Sequence, residues 1–242
     1  SAGSTGALLA SGMVRLGRIK GVERPALATV IPSRKRPFLL IDSGANVDCL
    51  PKYLVQFGMM GSVYMHRILG VDEPRVGLVN IGAEAEKGNQ LTKETFKLMQ
   101  AQAQFRFEGN VEARDIPSGD IDVVVADGFA GNLILKYTEG LAQALVGMLK
   151  DEIQSSRKSM LGAAMMKDAF QSFKARMDYE EQGGAPLLGV NGAVVKAHGS
   201  STARAFKNAI GQAYRMVKTG MVAEIEKGIA EIAQAEKKEE NA

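Results

Sequence analysis

The sequence predicts an α/β protein, a three-layer α/β/α arrangement around a mostly parallel sheet. Three observations predict it. Short runs such as Phe38–Ile41 and Ile121–Ala126 are apolar throughout or nearly so, as strands buried on both faces require. Helix-length amphipathic segments alternate with them. At four places an apolar run passes into a small, Gly-rich polar turn and then toward a helix. These turns are Asp42–Asn46, Asn80–Glu84 leading to Lys87-Gly88-Asn89, Gly109–Glu112, and Asp127–Asn132. Open α/β sheets bind ligands at the carboxyl ends of their strands. Gly lets backbone N–H groups approach an anion, and helix N-termini favour negative charge, so several such turns at one edge make a cradle for phosphate.

In order along the chain, Gly6–Ile19 reads as a helix behind a Ser/Gly turn and Phe38–Ile41 as a strand ended by Asp42. Pro51–Leu69 is helical, with Pro at the first turn. Arg75–Asn80 is a second buried strand. Thr92–Gln102 is a helix with Leu91, Thr95, Leu98 and Met99 along one side. Phe105–Phe107 starts a third strand and Ile121–Ala126 is a fourth. Leu133–Ile153 is a long amphipathic helix. Lys158–Tyr179 is Met-rich and amphipathic, and Gln182-Gly183-Gly184 breaks it. A strand through Val194-Val195 leads to Lys196–Ser201, a helix starts at Thr202, and Val222–Glu240 is a charged terminal helix. Residues 1–242 are expected to form a single α/β domain with a helical excursion at about 155–190. The abrupt opening at Ser1, without an initiator Met, reads as an N-terminally incomplete domain.

Bulk properties narrow the function. Apolar residues make up 45% and charged residues 24%, enough for a sizeable core in 242 residues. The net charge of +3 is too small and diffuse to indicate nucleic acid, and it suits anionic partners. A single cysteine gives no disulfide framework and fits a reducing cytoplasm. One cysteine and two histidines do not make a His/Cys zinc site, and no paired-carboxylate motif suggests another metal. Neither metal nor cofactor is expected. No run approaches the roughly 20 apolar residues of a membrane span.

Candidate site residues follow from the turns. Asp42, Gly44 and Asn46 are either a plain strand-to-helix turn or a ligand contact through Asn46 and the turn N–H groups. Asp127, Gly128, Gly131 and Asn132 form the more telling turn, with Asn132 either a helix cap or an amide aimed at ligand. Gly82, Lys87 and Asn89 lie in the connection after a buried strand. There Lys87 is either a solvated loop residue or a cation that neutralises phosphate and polarises a carbonyl. His198, with Ser200 and Ser201 ahead of a helix, is either structural or a proton exchanger for phosphate. No G-x-G-x-x-G, P-loop or G-x-S-x-G motif occurs. The lack of an evident nucleophile points to a reaction in which a substrate supplies it. Met160, Leu161, Met165, Met166, Phe170, Phe173 and Met177 recur at helical spacing beside Lys158, Lys167, Lys174 and Arg176. That stripe is either a packing surface or a membrane contact through Leu161, Met165, Met166 and Phe170.

An ordered set of motifs carries a resemblance over nearly the whole chain. Ser1–Leu8, Gly17–Gly21, Arg24–Leu27, Gly44–Asp48, Met60–Tyr64, Pro74–Leu78, Lys87–Asn89 with Leu91–Lys93, Gly109–Glu112, Asp127–Phe129 with Gly131-Asn132, and Lys196–Ser201 together resemble the bacterial phosphate acyltransferase of phospholipid synthesis, the PlsX family. The resemblance implies transfer of a fatty acyl group from acyl carrier protein to inorganic phosphate. The acyl phosphate product would feed the membrane glycerol-3-phosphate acyltransferase. It also implies a fold shared with phosphate acetyltransferases and isocitrate/isopropylmalate dehydrogenases. A homodimer, and a cytoplasmic enzyme peripherally associated with the inner face of the membrane, are implied as well. On it, Lys87, Asn132 and His198 are the expected catalytic residues. Asp42, Gly44, Asn46, Gly82, Asn89, Asp127, Gly128, Gly131, Ser200 and Ser201 are the expected substrate contacts. Two departures stand out. Family members begin with a further segment carrying a Gly-Gly-Asp-His motif, and they usually have Val where Ser43 stands.

Overall fold

Strands β1 (Ala26–Ile31), β2 (Phe38–Ile41), β3 (Arg75–Asn80), β4 (Arg106–Glu112), β5 (Val123–Val125), β6 (Ala185–Leu188) and β7 (Val195–Lys196) form one sheet in the order β4-β3-β5-β2-β1-β6-β7. The computed structural model describes residues 1–177, 183–199 and 201–240, without the side chains at 174, 176, 177, 236 and 238–240. Ser200, Gln182, the end of the 158–179 segment and the side chains of Lys174, Arg176 and Met177 therefore lie outside the description. Within the sheet, β4, β3, β5 and β2 are mutually parallel. From β2 onward the pairing turns antiparallel through β1, β6 and β7.

Helix α1 (Thr5–Arg15) opens the chain, and further helices flank both faces of the sheet. On one face α2 (Pro51–Leu69) crosses the parallel strands, with α3 (Gln90–Gln100), α7 (Ala203–Lys218) and α8 (Met221–Glu240) beside it. Pro51 opens α2 and Gly70 ends it. Its apolar side, including Leu54, Phe57, Met60 and Tyr64, is buried with Leu39, Ile41, Val123 and Val125. Gly61 lets helix and sheet meet, because a Cβ there would stand 2.5 Å from Val123 Cγ1. Gln212 of α7 donates to the buried Tyr64 hydroxyl (2.6 Å), which locks α7 onto α2. The other face carries a second apolar cluster of Ile31, Phe38, Leu40, Val111, Ile116 and Val124, covered by Ile134 and Leu135 of α4 (Gly128–Gln154). At the amino edge, buried Asp122 accepts from Arg75 N (2.9 Å) and pairs with the Arg36 and Arg75 guanidinium groups, fixing the starts of β2, β3 and β5.

The predicted α/β class with its parallel core is borne out, and four local expectations are corrected. Gly109–Glu112 is not a turn but the second half of β4, where Gly109 sits at φ +106 beside a register shift against β3. A Gly in the left-handed region at a sheet irregularity resembles a turn Gly in sequence. Helix α4 begins at Gly128 rather than Leu133, with Asp127 as its N-cap. The Met-rich segment is two helices, α5 (Arg157–Met165) and α6 (Lys167–Met177), broken at Met166, so its stripe does not run along one axis. Strands β1 and β6 were not anticipated, and they reverse the direction of β7.

Candidate active site at the carboxyl edge

Parallel pairing brings the segments that follow β2, β5 and β3 to one edge, in that spatial order. The innermost is Asp42–Asn46. The carboxylate of Asp42 is fully buried and accepts five N–H bonds. Its Oδ1 takes Leu27 N (3.1 Å), Gly44 N (3.1 Å) and Ala45 N (2.9 Å). Its Oδ2 takes Asn46 N (2.7 Å) and Asn46 Nδ2 (2.8 Å). Burial is the larger influence and pushes the Asp42 carboxyl above its ordinary value, against the N–H donors that favour its charged form. Asn46 also donates to Pro25 O (2.8 Å). These polar atoms are thus spent inside the turn. Of the two readings offered for this turn, these bonds support the strand-to-helix turn: the Asn46 amide and the turn N–H groups converge on Asp42 and build the platform. Ser43 joins in, donating to Leu27 O (3.1 Å) and sharing a bond with Thr29 Oγ1 (2.9 Å), so its hydroxyl ties the turn to β1.

Helix α4 docks on this platform by backbone contact. Gly128 N donates to Asn46 O (2.7 Å), and Asp127 Oδ1 caps Ala130 N (2.8 Å). A Cβ at Gly128 would lie 2.5 Å from Asn46 O and 2.8 Å from Asn46 C. At Gly131 it would lie 3.0 Å from Asp42 C and nearer still to Asp42 O. Only Gly at both positions lets the helix sit this close. Docking places Asn132 beside Gly44, whose φ of +128 lets the turn pass under the Asn132 side chain: a Cβ at Gly44 would be 3.3 Å from Asn132 Oδ1. Asn132 is exposed at that rim and is not the helix cap.

The third segment, after β3, is held by two asparagines. Asn80 Nδ2 donates to Lys87 O (3.1 Å) while its Oδ1 accepts from Ile81 N (2.8 Å). Asn110 of β4 donates to Glu84 O (2.8 Å). Lys87 is exposed, with its aliphatic stem over Gly82, where a Cβ would meet Lys87 Cγ at 2.9 Å. Asn89 caps α3 through Thr92 N (2.9 Å), so its side-chain oxygen is committed to the helix. Sequence reasoning placed Asn80 and Asn110 in turns but gave them no role; Asn80, closing a buried apolar strand, carried a local signal, whereas Asn110, inside β4, did not. It also missed that this edge has an apolar rim, with Val47, Leu50, Ile81, Phe129 and Leu133 all exposed.

His198 does not belong to this edge. Strand β6 runs antiparallel to β1, and β7 antiparallel to β6, so the chain leaves Lys196 at the opposite end of the sheet. His198 and Ser201 follow there, with Ser201 N donating to His198 O (3.0 Å). Cys49 is half-buried beside the platform. Burial, with the Asp42 charge second, pushes its thiol up to about 12.

The family described as "Fatty acid synthesis protein" matches residues 1–224. The chain belongs to this family. Among its curated relatives is the phosphate acyltransferase of Clostridium botulinum (strain Loch Maree / Type A3), 52% identical over 234 residues, which are 97% of this chain and 70% of the relative. The phosphate acyltransferase of Clostridium perfringens (strain SM101 / Type A) is 52% identical over 229 residues, 95% of this chain and 68% of the relative. The family resemblance read from the ordered motifs is therefore borne out. Among solved structures, a phosphotransacetylase from Streptococcus pyogenes superposes with TM-score 0.55 at 17% identity, covering 89% of this chain and 61% of that one. EutD phosphotransacetylase from Staphylococcus aureus superposes with TM-score 0.53 at 15% identity, covering 88% and 58%. The chain thus spans about three-fifths of each of those structures, and at such identity they show the shared fold. No described helix of this family member is long and apolar enough to cross a membrane.

Proposed function

We propose that the carboxyl edge binds inorganic phosphate and passes a fatty acyl group to it from the thioester of acyl carrier protein. The chain is an acyltransferase in this reading, supported by family membership and by relatives named phosphate acyltransferase. The observation that supports the site is the seating of α4 on the Asp42 platform, which leaves Asn132 exposed at the carboxyl edge, the same edge to which β3 delivers the loop that bears Lys87. A phosphate oxygen attacks the thioester carbonyl, the C–S bond breaks, and the departing thiolate takes up a proton. Lys87 neutralises phosphate and the developing oxyanion, and Asn132 donates its amide to the carbonyl oxygen. No enzyme nucleophile is needed. The apolar rim suits a fatty donor better than a small one.

Two surfaces support the remaining partners. Helix α4 exposes Tyr137, Leu141, Leu145 and Met148 at spacings of four and three, a stripe suited to the same helix of a second copy and hence to a homodimer. Leu161, Met165 and Met166 are exposed around the α5–α6 break and Phe170 is half-buried, which suits contact with a membrane surface where the product would be consumed by glycerol-3-phosphate acyltransferase. The test of the site is kinetic. Lys87→Ala and Asn132→Ala should each lower acyl phosphate formation from acyl carrier protein thioester at least tenfold, about 1.4 kcal/mol in barrier. Near-normal turnover in both folded variants would sink the assignment. Equal turnover of a short-chain coenzyme A thioester would reassign the donor.

A further inference from the structure

Beside α4 lies a cleft of about 450 Å³, lined mainly by apolar side chains, among them Ile31, Phe38, Ile134 and Phe173, with Thr138 and, from the β1–β2 connection, Ser33 and Arg34. That volume is in the range of small-molecule sites. Its floor is the apolar cluster on the α4 face of the sheet. The cleft and the carboxyl-edge site share the same two elements. Ile134 and Thr138 stand two and six residues beyond Asn132 on α4, about 3 and 9 Å along its axis. Phe38 opens the strand whose end runs into the Asp42 platform, about 13 Å away. At the amino end Arg34 N donates to Pro117 O (3.0 Å), tying the β1–β2 connection to the short turn at Ile116–Ser118. Phe173 of α6 keeps about half its surface open over this floor. Ser33 and Arg34 apart, the walls formed by Ile31, Phe38, Ile116, Ile134 and Phe173 are apolar, and a hydrocarbon chain gains contact along them.

We propose that this cleft holds the tail of the donor's fatty acyl chain, whose thioester sits at the Asn132 rim. The assignment rests on the reading of the carboxyl edge as the acyl-transfer site and adds where the chain lies. Each methylene taken from water strengthens binding by up to about fourfold, so kcat/KM rises with chain length until the cleft is full. The chain has no tryptophan, so Thr138→Trp both obstructs the cleft and installs a single fluorophore. The experiment compares kcat/KM for palmitoyl and butyryl carrier-protein donors in wild type and Thr138→Trp. The long-to-short ratio should fall by about tenfold or more. A brominated fatty acid should also quench the introduced indole saturably, and more than it quenches an exposed indole in Lys97→Trp. An unchanged ratio together with no excess quenching in the folded variant overturns the proposal. If Thr138→Trp does not fold, Phe173→Ala decides: widening the cleft should alter the chain-length profile, and an unaltered profile counts against it. If wild type makes no acyl phosphate from either donor, the transferase reading fails, while the quenching result still decides the cleft.

Discussion

A methyl group at Gly128 would force the start of α4 off its platform. Its Cβ would stand 2.5, 2.8 and 2.9 Å from Asn46 O, C and N, all backbone atoms that cannot rotate away. Ordinary contact begins near 3.5 Å, so helix and turn must separate by about 1 Å. Overpacking of this kind costs about 1–3 kcal/mol. The bond from Gly128 N to Asn46 O (2.7 Å) stretches with it, adding about 1 kcal/mol. Gly140 lies in the same helix with nothing within 4 Å of its Cβ position, so Gly140→Ala should instead gain up to about 1 kcal/mol of helix propensity. Urea unfolding followed by far-UV circular dichroism should therefore show opposite signs for one substitution in one helix, with Gly128→Ala less stable by about 2 kcal/mol or more. Because Asn132 rides on the displaced turn, acyl phosphate formation should fall about tenfold in Gly128→Ala and stay near wild type in Gly140→Ala. Equal stability and turnover in the two variants would refute the close-approach argument.

His198→Ala should leave turnover within about twofold, below roughly 0.5 kcal/mol in barrier, because β7 carries His198 to the other end of the sheet. A tenfold loss would show that the histidine reaches the chemistry. With its thiol pushed up to about 12 from 9.0, Cys49 should react with iodoacetamide at pH 8 about a thousandfold more slowly than a thiol at the ordinary value. Labelling at the rate of a free cysteine would contradict its burial beside a charged Asp42.

What could be read from sequence was what local chemistry determines. Strands β2 and β3 and helix α2 fall where their unbroken apolar runs, Pro51 and Gly70 place them. The parallel core followed from strands with no polar face. Direction and depth were less legible. Strand β1, Ala26–Ile31, carries Ala and Thr among its apolar residues, and its antiparallel pairing with β2 and β6 depends on contacts remote in sequence. Without β6 there was nothing to reverse β7, so the end of the sheet at which His198 follows could not be read. The glycines of 127–132 were recognised, but as makers of a turn, whereas Gly128 and Gly131 serve as the contact surface of a helix. Asp42 was recognised as a turn acid. That its oxygens gather five N–H donors inward follows only from the folded path of the 42–46 segment and of Leu27 across from it.

The position of bound phosphate tests the central claim most directly. Crystals of the protein soaked in phosphate, with sulfate as a second anion, should show the anion at the carboxyl edge, within hydrogen-bond reach of Asn132 and the Lys87 ammonium. Lys87→Ala should weaken its binding in solution. An anion that instead occupies the far edge near His198 and Ser201, or binding unaltered by Lys87→Ala, would contradict the account.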